Sequence, residues 1–345
     1  MSRESLSVVV IGIGPMGTSH LLAYHHNPTY KVIGIVSRST LQLPTELKEY
    51  ESLALLNLKT ALLLKPDVVS INTHSDSHVE YAVASMEAGA HVFVEKPLAT
   101  SVADAKRVVE TAKRTGKKIV IGYILRHHPS WVEFIRQARQ FGPPFVMRMN
   151  LNQRSEDSAG DIHKRFMETT SPVVDCGVHY IDVMLQITDS RAVQVRGMGV
   201  RLSDEIDKDQ VNYGHLQITF EDGSVGWYDA SWGPMISTNA FFIKDVMGPR
   251  GAVLIVMDSD ADSSDVNAHT KTANIKVAPV NEKATIISMK GEPVHDELCA
   301  LEQEYLLESI LEDRDLYRHM NDAVQSLAVV LAADKSMREN RAIDL

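Results

Sequence analysis

The sequence predicts an α/β protein, in which an N-terminal doubly wound parallel sheet is joined to a C-terminal α+β domain on a mostly antiparallel open sheet. Three observations lead there. A β-branched run at residues 6–13 passes through Gly12-Ile13-Gly14-Pro15-Met16-Gly17 into a helical segment. Apolar runs and amphipathic segments then alternate as far as Gly122, and that strand–helix rhythm makes a parallel sheet. Beyond Phe145 apolar runs follow one another with few helices between them, the pattern of an antiparallel sheet. The division falls into residues 1–124 and 125–345.

A chain of 345 residues has room for two cores. With 44% hydrophobic and 23% charged residues it is an ordinary globular composition. A formal charge of −10 excludes a general nucleic-acid or anionic-membrane binder, which needs a basic surface. The two cysteines, Cys176 and Cys299, are far apart and lack metal-ligand spacing. They fit a reducing cytoplasm, and no metal is expected. No apolar run reaches the length of a membrane span. Residues 1–7 lead straight into a strand, without the apolar region of a signal peptide.

In the glycine motif Gly12 allows a tight turn, Gly14 lets the backbone approach a pyrophosphate, and Gly17 permits close helix packing. Pro15 and Met16 open the helix whose amide groups would receive the phosphates. The second strand, 30–36, ends in Ser37-Arg38-Ser39. An NAD enzyme usually carries an acid there for the ribose 2′-hydroxyl. Ser37 and Arg38 instead suit a 2′-phosphate, so NADP(H) is favoured over NAD(H). A short helix end is read at 60–65, a buried strand at 67–72 and a helix at 77–88 stopped by Gly89. The strand 92–94 ends in Glu95-Lys96-Pro97, where Pro97 holds Lys96 in extended backbone. Thr100 or Ser101 caps a helix through Arg114, stopped by Gly116, before a strand at 118–122. Thr73, His74, Glu95 and Lys96 thus reach the same sheet edge as the glycine loop, where open α/β sheets bind ligands.

The chain resembles the Gfo/Idh/MocA family of nicotinamide-dependent sugar and polyol oxidoreductases. The resemblance rests on the glycine motif, on Ala88-Gly89-Ala90-His91-Val92-Phe93-Val94-Glu95-Lys96-Pro97-Leu98-Ala99, on Gly122-Tyr123-Ile124-Leu125-Arg126-His127-His128-Pro129, and on Asp175-Cys176-Gly177-Val178-His179-Tyr180-Ile181-Asp182. It implies a Rossmann domain and a catalytic, substrate-binding Lys96, with Asp175 and His179 as the matching pair on a later helix. His74 departs from it, standing where the family usually has proline. C-terminal helices packing back toward the first domain, and a homodimer or homotetramer, are further implications.

In the second domain Pro129 opens a helix to Gln140, and a new sheet begins at 145–151. Strands are read at 193–201, 211–220, 224–231 and 241–246, with Glu221-Asp222-Gly223 as a hairpin turn. Residues 258–265 read as an acidic exposed loop, and 297–311 and 320–333 as amphipathic helices. On the helix read at 173–187, Asp175, His179 and Asp182 share one face. Hydride transfer needs a group that takes the hydroxyl proton. His179 fits as acid/base, Lys96 as electrostatic anchor for the reacting oxygen, and Asp175 as the residue that orients the sugar or the histidine. Arg154, His163, Lys164 and Arg165, on the loop expected before that helix, join Tyr123 and Arg126 as substrate readers. The expected function is a hydride transfer between NADP(H) and a small sugar, inositol, polyol or keto-sugar. Two other readings are a non-enzymatic sensor on a dinucleotide fold and an enzyme that recycles a permanently bound cofactor.

Overall fold

The computed structural model describes residues 5–38, 40–239, 242–257, 259, 261–265 and 271–345. The first four residues, Ser39, Phe241, Asp258 and Asp260, on which some expectations fall, lie outside the described residues. The chain divides into two compact units, Met1–Ile124 with Pro293–Val324, and Leu125–Glu292 with Gln325–Leu345.

The first unit begins with β1 (Leu6–Ile11), α1 (Pro15–His26) and β2 (Tyr30–Val36). A 3₁₀ turn at Thr45–Leu53 leads to β3 (Ala54–Leu55), α2 (Leu58–Leu63), β4 (Val68–Ile71), α3 (Ser75–Glu87), β5 (His91–Val94), α4 (Val102–Thr115) and β6 (Ile119–Ile121). The strands pair in parallel in the order β3-β2-β1-β4-β5-β6. Parallel strands covered on both faces need apolar side chains throughout, and β4 and β6 are buried at every residue. Helix ends follow local chemistry: the Ser101 hydroxyl accepts the Asp104 amide, and Gly116 closes α4 at φ 66°. Asn57 and Thr60 form a capping box, so α2 is a complete short helix that starts at Leu58 rather than the tail expected at 60–65. The strand order reverses between β1 and β4, which opens a crevice at their carboxyl ends.

The second unit contains α5 (Pro129–Gln140), β7 (Val146–Arg154), α6 (Asp157–Met167), α7 (Pro172–Thr188), β8 (Ala192–Val200), β9 (Tyr213–Phe220), β10 (Val225–Gly233), β11 (Lys244–Gly248), β12 (Gly251–Met257), β13 (Thr272–Pro279) and β14 (Thr285–Ser288). After α8 (His295–Leu311) and α9 (Tyr317–Glu339), the chain ends in β15 (Ile343–Asp344). The second sheet runs β14-β13-β12-β11-β7-β10-β9-β8-β15 and is antiparallel except for the β7–β10 pair. Helix α7 packs on β7, β9 and β10, and α5 on β11, β12 and β13. At the expected hairpin, Phe220 N–H donates to Ser224 O, and Gly223 takes φ 83°. The basic stretch expected as a loop is a correction: its residues 157–167 form α6. Asp157 in the first turn and Lys164 and Arg165 in the last complement the helix dipole.

In the first unit, α8 packs against α1, β5 and β6. Tyr24 and Tyr30 donate to the Gln303 side chain and carbonyl at 2.5 and 2.9 Å. Ile121 N–H donates to His319 Nε2 at 2.8 Å, and Lys118 meets Asp313 at 2.6 Å.

One charged pair is sunk in the second unit. Lys244 is 2% exposed, and its Nζ lies 5.1 Å from both the Trp131 and Phe242 ring centres. Burial pushes its ammonium down to about 7, against the opposing pull of Glu292. Burial pushes the Glu292 carboxyl up to about 7, although Oε2 accepts the Thr272 amide at 2.7 Å. The lysine's contribution to stability is present above 10.5 and lost as pH falls through 7. The glutamate's is present below 4.5 and lost as pH rises through 7. Their sum is therefore smallest near neutrality. Replacing the pair with Lys244→Met and Glu292→Gln should stabilise the fold at pH 7 by ~1–4 kcal/mol. Thermal melts of both proteins between pH 5 and 9 check this; an unchanged or lower midpoint for the double variant at pH 7 would refute it.

Candidate active site

The crevice of the first unit is built from glycines that admit no side chain. Gly12 takes φ 84°, and a Cβ there would lie 2.5 Å from the Asn72 carbonyl oxygen. A Cβ on Gly17 would lie 1.8 Å from the Gly12 carbonyl oxygen, so α1 touches the turn directly. A Cβ on Gly14 would meet nothing within 4 Å. Helix α1 starts on Pro15 with no side-chain cap. A helix amino end without a cap, facing open space across a glycine, fits a pyrophosphate.

The neighbouring loop continues the cradle. Thr73 Oγ1 bonds Ser77 Oγ at 2.7 Å, and His74 is the N-cap residue of α3. The buried His78 was not anticipated: its ring nitrogens lie 3.0 Å from Thr73 O and 2.8 Å from Pro97 O. It ties the turn after β4 to the turn after β5. Burial pushes this imidazole below its usual range, against the pull of both carbonyls. After β2, Ser37 is half-buried and Arg38 exposed. A cavity of about 320 Å³ opens there, lined by Ser37, Thr40, Leu41, Glu51, Ala54 and Leu55.

Lys96 is half-buried at the end of β5, and the Lys96–Pro97 peptide is cis. Glu95, which the sequence places among the cofactor contacts, faces inward and is 7% exposed. Its Oε1 lies 2.9 Å from His20 Nε2, and its Oε2 accepts the Lys96 amide at 3.1 Å. Beneath them lies Glu302, 1% exposed, whose Oε1 has no hydrogen-bond partner among the described residues. Burial first, and the nearby Glu95 charge second, hold the Glu302 carboxyl well above the usual range. Donor atoms of His20, Cys299 and Glu302 come within 4.8 Å of one another, but both nitrogens of His20 already hold protein partners. Tyr123, expected as a substrate contact, is 1% exposed and set edge-on to His319 at 6.3 Å between ring centres.

The second unit carries the other predicted residues. Helix α7 is buried at fourteen of its seventeen residues; the three that retain partial exposure are Asp175, His179 and Gln186. Spacings of four and seven place them on one stripe, together with the buried Asp182. Gly177 on another face lets the helix close on the sheet, since a Cβ there would meet Val330 at 3.0 Å and Tyr228 at 3.4 Å. Arg126 grips Asp182 with two bonds, Nε to Oδ2 at 2.8 Å and Nη2 to Oδ1 at 2.5 Å, and Gln186 adds a third at 3.0 Å. Arg154 pairs with Glu156 and Lys164 with Glu205. His163 stacks on Trp232 at 4.3 Å. Of the cations expected to read substrate, Arg126, Arg154 and Lys164 are thus engaged by a carboxylate, which the spacing of residues could not reveal, while Arg165 Nε donates to the Asp161 carbonyl oxygen at 3.3 Å.

The family comparison decides the ancestry. Residues 6–123 match the oxidoreductase family, NAD-binding Rossmann fold, and residues 138–345 its C-terminal alpha/beta domain. The chain belongs to the Gfo/Idh/MocA family. It is 28% identical over 199 residues to UDP-N-acetylglucosamine 3-dehydrogenase of Acidithiobacillus ferrooxidans, covering 57% of this chain and 59% of that protein. It is 28% identical over 192 residues to inositol 2-dehydrogenase of Salmonella typhimurium, covering 52% and 54%. The chain thus spans little more than half the length of these relatives. Among solved structures, aldose–aldose oxidoreductase from Caulobacter crescentus superposes with TM-score 0.80 at 20% identity over 99% of this chain and 100% of that one. The A. ferrooxidans dehydrogenase gives 0.77 at 21% over 98% and 99%. Among the described residues no helix is long and apolar enough to cross a membrane.

The raised Glu302 carboxyl gives this family member a pH signature. A group whose folded pKa is raised contributes stability below its unfolded value of 4.5 and loses it as pH rises through the folded one. Glu302→Gln should remove that alkaline loss and leave the melting temperature below pH 5 nearly unchanged. Melts across pH 4–9 check it; parallel curves for the two proteins would show that Glu302 carries no shifted proton.

Proposed function

We propose that this chain is an NADP(H)-dependent oxidoreductase that transfers a hydride between nicotinamide and a sugar, inositol, polyol or related keto-sugar. The observation that carries the reading is the stripe on α7: a helix otherwise buried keeps partial exposure at Asp175 and His179, where chemistry rather than packing selects the side chain. The relatives named as dehydrogenases of inositol and of a UDP-sugar support the substrate class.

The residues of the crevice fit the cofactor. Gly12, Gly14 and Gly17 shape the backbone toward the pyrophosphate, Pro15 and Met16 present the amino end of α1, and Thr73 and His74 border the nicotinamide side. The nicotinamide, when bound, supplies or accepts the hydride. Lys96 hydrogen-bonds the reacting oxygen and stabilises negative charge that develops on it. His179 takes or returns the hydroxyl proton, and Asp175, one turn earlier on α7, orients the imidazole or the sugar. Arg126, held by Asp182, shapes the site as a fixed pair, and Arg154, His163 and Lys164 border it. Ser37 and Arg38 favour the 2′-phosphate of NADP(H). Glu51 in the same cavity favours the second reading, NAD(H), since a carboxylate accepts from a ribose hydroxyl and repels a phosphate. A homodimer or homotetramer is part of the proposal, supported by exposed apolar residues on strands of the open sheet, such as Met198, Val225 and Ile286 at 53%, 40% and 68%.

Lys96→Ala and His179→Ala should each lower kcat by ~10²–10⁴ while cofactor affinity stays within a few-fold, measured by reduced-cofactor absorbance over a sugar and inositol panel and by cofactor titration. Full turnover in either variant would remove that residue from the mechanism. The wild-type enzyme should show a higher kcat/KM with NADP⁺ than with NAD⁺; the reverse preference would assign the cavity to Glu51 and NAD(H).

A further inference from the structure

A chain of four buried side chains ends at the amide of Lys96, and each link permits only one direction. Tyr24 lies 2.5 Å from Gln303 Oε1, a length that suits O–H···O and is too short for N–H···O. The amide oxygen of Gln303 therefore faces the tyrosine, and its Nε2 faces His20 Nδ1 at 2.9 Å. An amide nitrogen only donates, so Nδ1 of His20 accepts. The imidazole then carries its proton on Nε2 and donates it to Glu95 Oε1 at 2.9 Å. The other oxygen of Glu95 accepts the Lys96 N–H at 3.1 Å. His20 is fully buried and set against Phe93 of β5 at 4.4 Å between ring centres, so the ring has no room to turn away. A Cβ on Gly122 would lie 3.2 Å from both Glu95 Oε2 and Phe93 Cζ, so the carboxylate packs closely against that glycine.

We propose that His20 is a positioning residue: through Glu95 it fixes the backbone of Lys96 and thereby the direction in which the lysine leaves the strand end. The proposal rests on the catalytic reading of Lys96. Its logic is geometric. The Glu95 carboxylate bridges an imidazole from α1 and the peptide that carries the lysine, and Gln303 of α8 sets which nitrogen of the imidazole can donate. Without the His20 donor, the carboxylate loses the imidazole that holds its Oε1, and the Lys96 amide loses an acceptor of fixed position. A misplacement of about 1 Å at a reacting group is enough to cost ~10²-fold in rate.

The test uses the full chain and three kinds of reading. In the wild type, ¹⁵N spectra of the histidines should show His20 as the neutral tautomer protonated on Nε2; a tautomer protonated on Nδ1 would overturn the directional chain whatever Lys96 does. Gln303→Glu, which offers Nδ1 an acceptor in place of a donor, should move the His20 proton pattern in the same spectra; an unmoved pattern would also overturn it. In turnover, His20→Phe should lower kcat ~10–10²-fold with cofactor KM nearly unchanged, and His20→Gln, whose amide can still donate to Glu95, should recover most of the loss. Equal loss in the two His20 variants, or none in His20→Phe, would overturn the positioning role. Lys96→Ala separates the two ideas: if it leaves turnover intact, the catalytic reading fails, and the tautomer spectra alone then judge the buried chain.

Discussion

The contact of α1 with the Gly12 carbonyl is the constraint on which the first unit depends. With 1.8 Å between a notional Gly17 Cβ and that oxygen, the helix and the turn share a surface that no side chain can enter. The approach sets the position of α1 over β1, and with it the place of His20 one turn further on. It also directs the helix amino end at the gap where the strand order reverses. The open amino end of α1 and the placement of the lysine strand thus depend on one close packing of backbone against backbone.

The fold was legible because its signals are local. A glycine motif between strand and helix, a proline after Lys96, and caps at Ser101 and Gly116 each act within a few residues. The same holds for the hairpin at Gly223. What stayed hidden has long-range causes. His20 meets Glu95 across 75 positions and Gln303 across 283, and no spacing rule connects such residues. His78 looks like an ordinary helical histidine until two distant carbonyls are seen on its ring.

Helix α6 was missed for a different reason. Its charged residues read as solvated loop, although acids at the start and bases at the end are what a helix dipole favours. Lys164 there and Arg126 were legible as charge, but their carboxylate partners were not. A positive side chain in the sequence says that an anion is near; it does not say whether that anion is a ligand or a neighbour such as Asp182. On α7, by contrast, near-complete burial makes the exceptions informative. Asp175 and His179 stand out because everything around them is covered.

Gln303 belongs to a helix that begins some 170 residues after the last strand of the parallel sheet, yet it completes the polar interior beside α1. The N-terminal half of this molecule is therefore not autonomous. A fragment cut after Ile124 would lack the helix that covers α1, β5 and β6 and would leave Tyr24, His20 and the Ile121 amide facing water or each other. Excision at the apparent domain border would yield a sheet with an uncovered flank, while a split that keeps residues 293–324 attached would preserve the nucleotide half as one body.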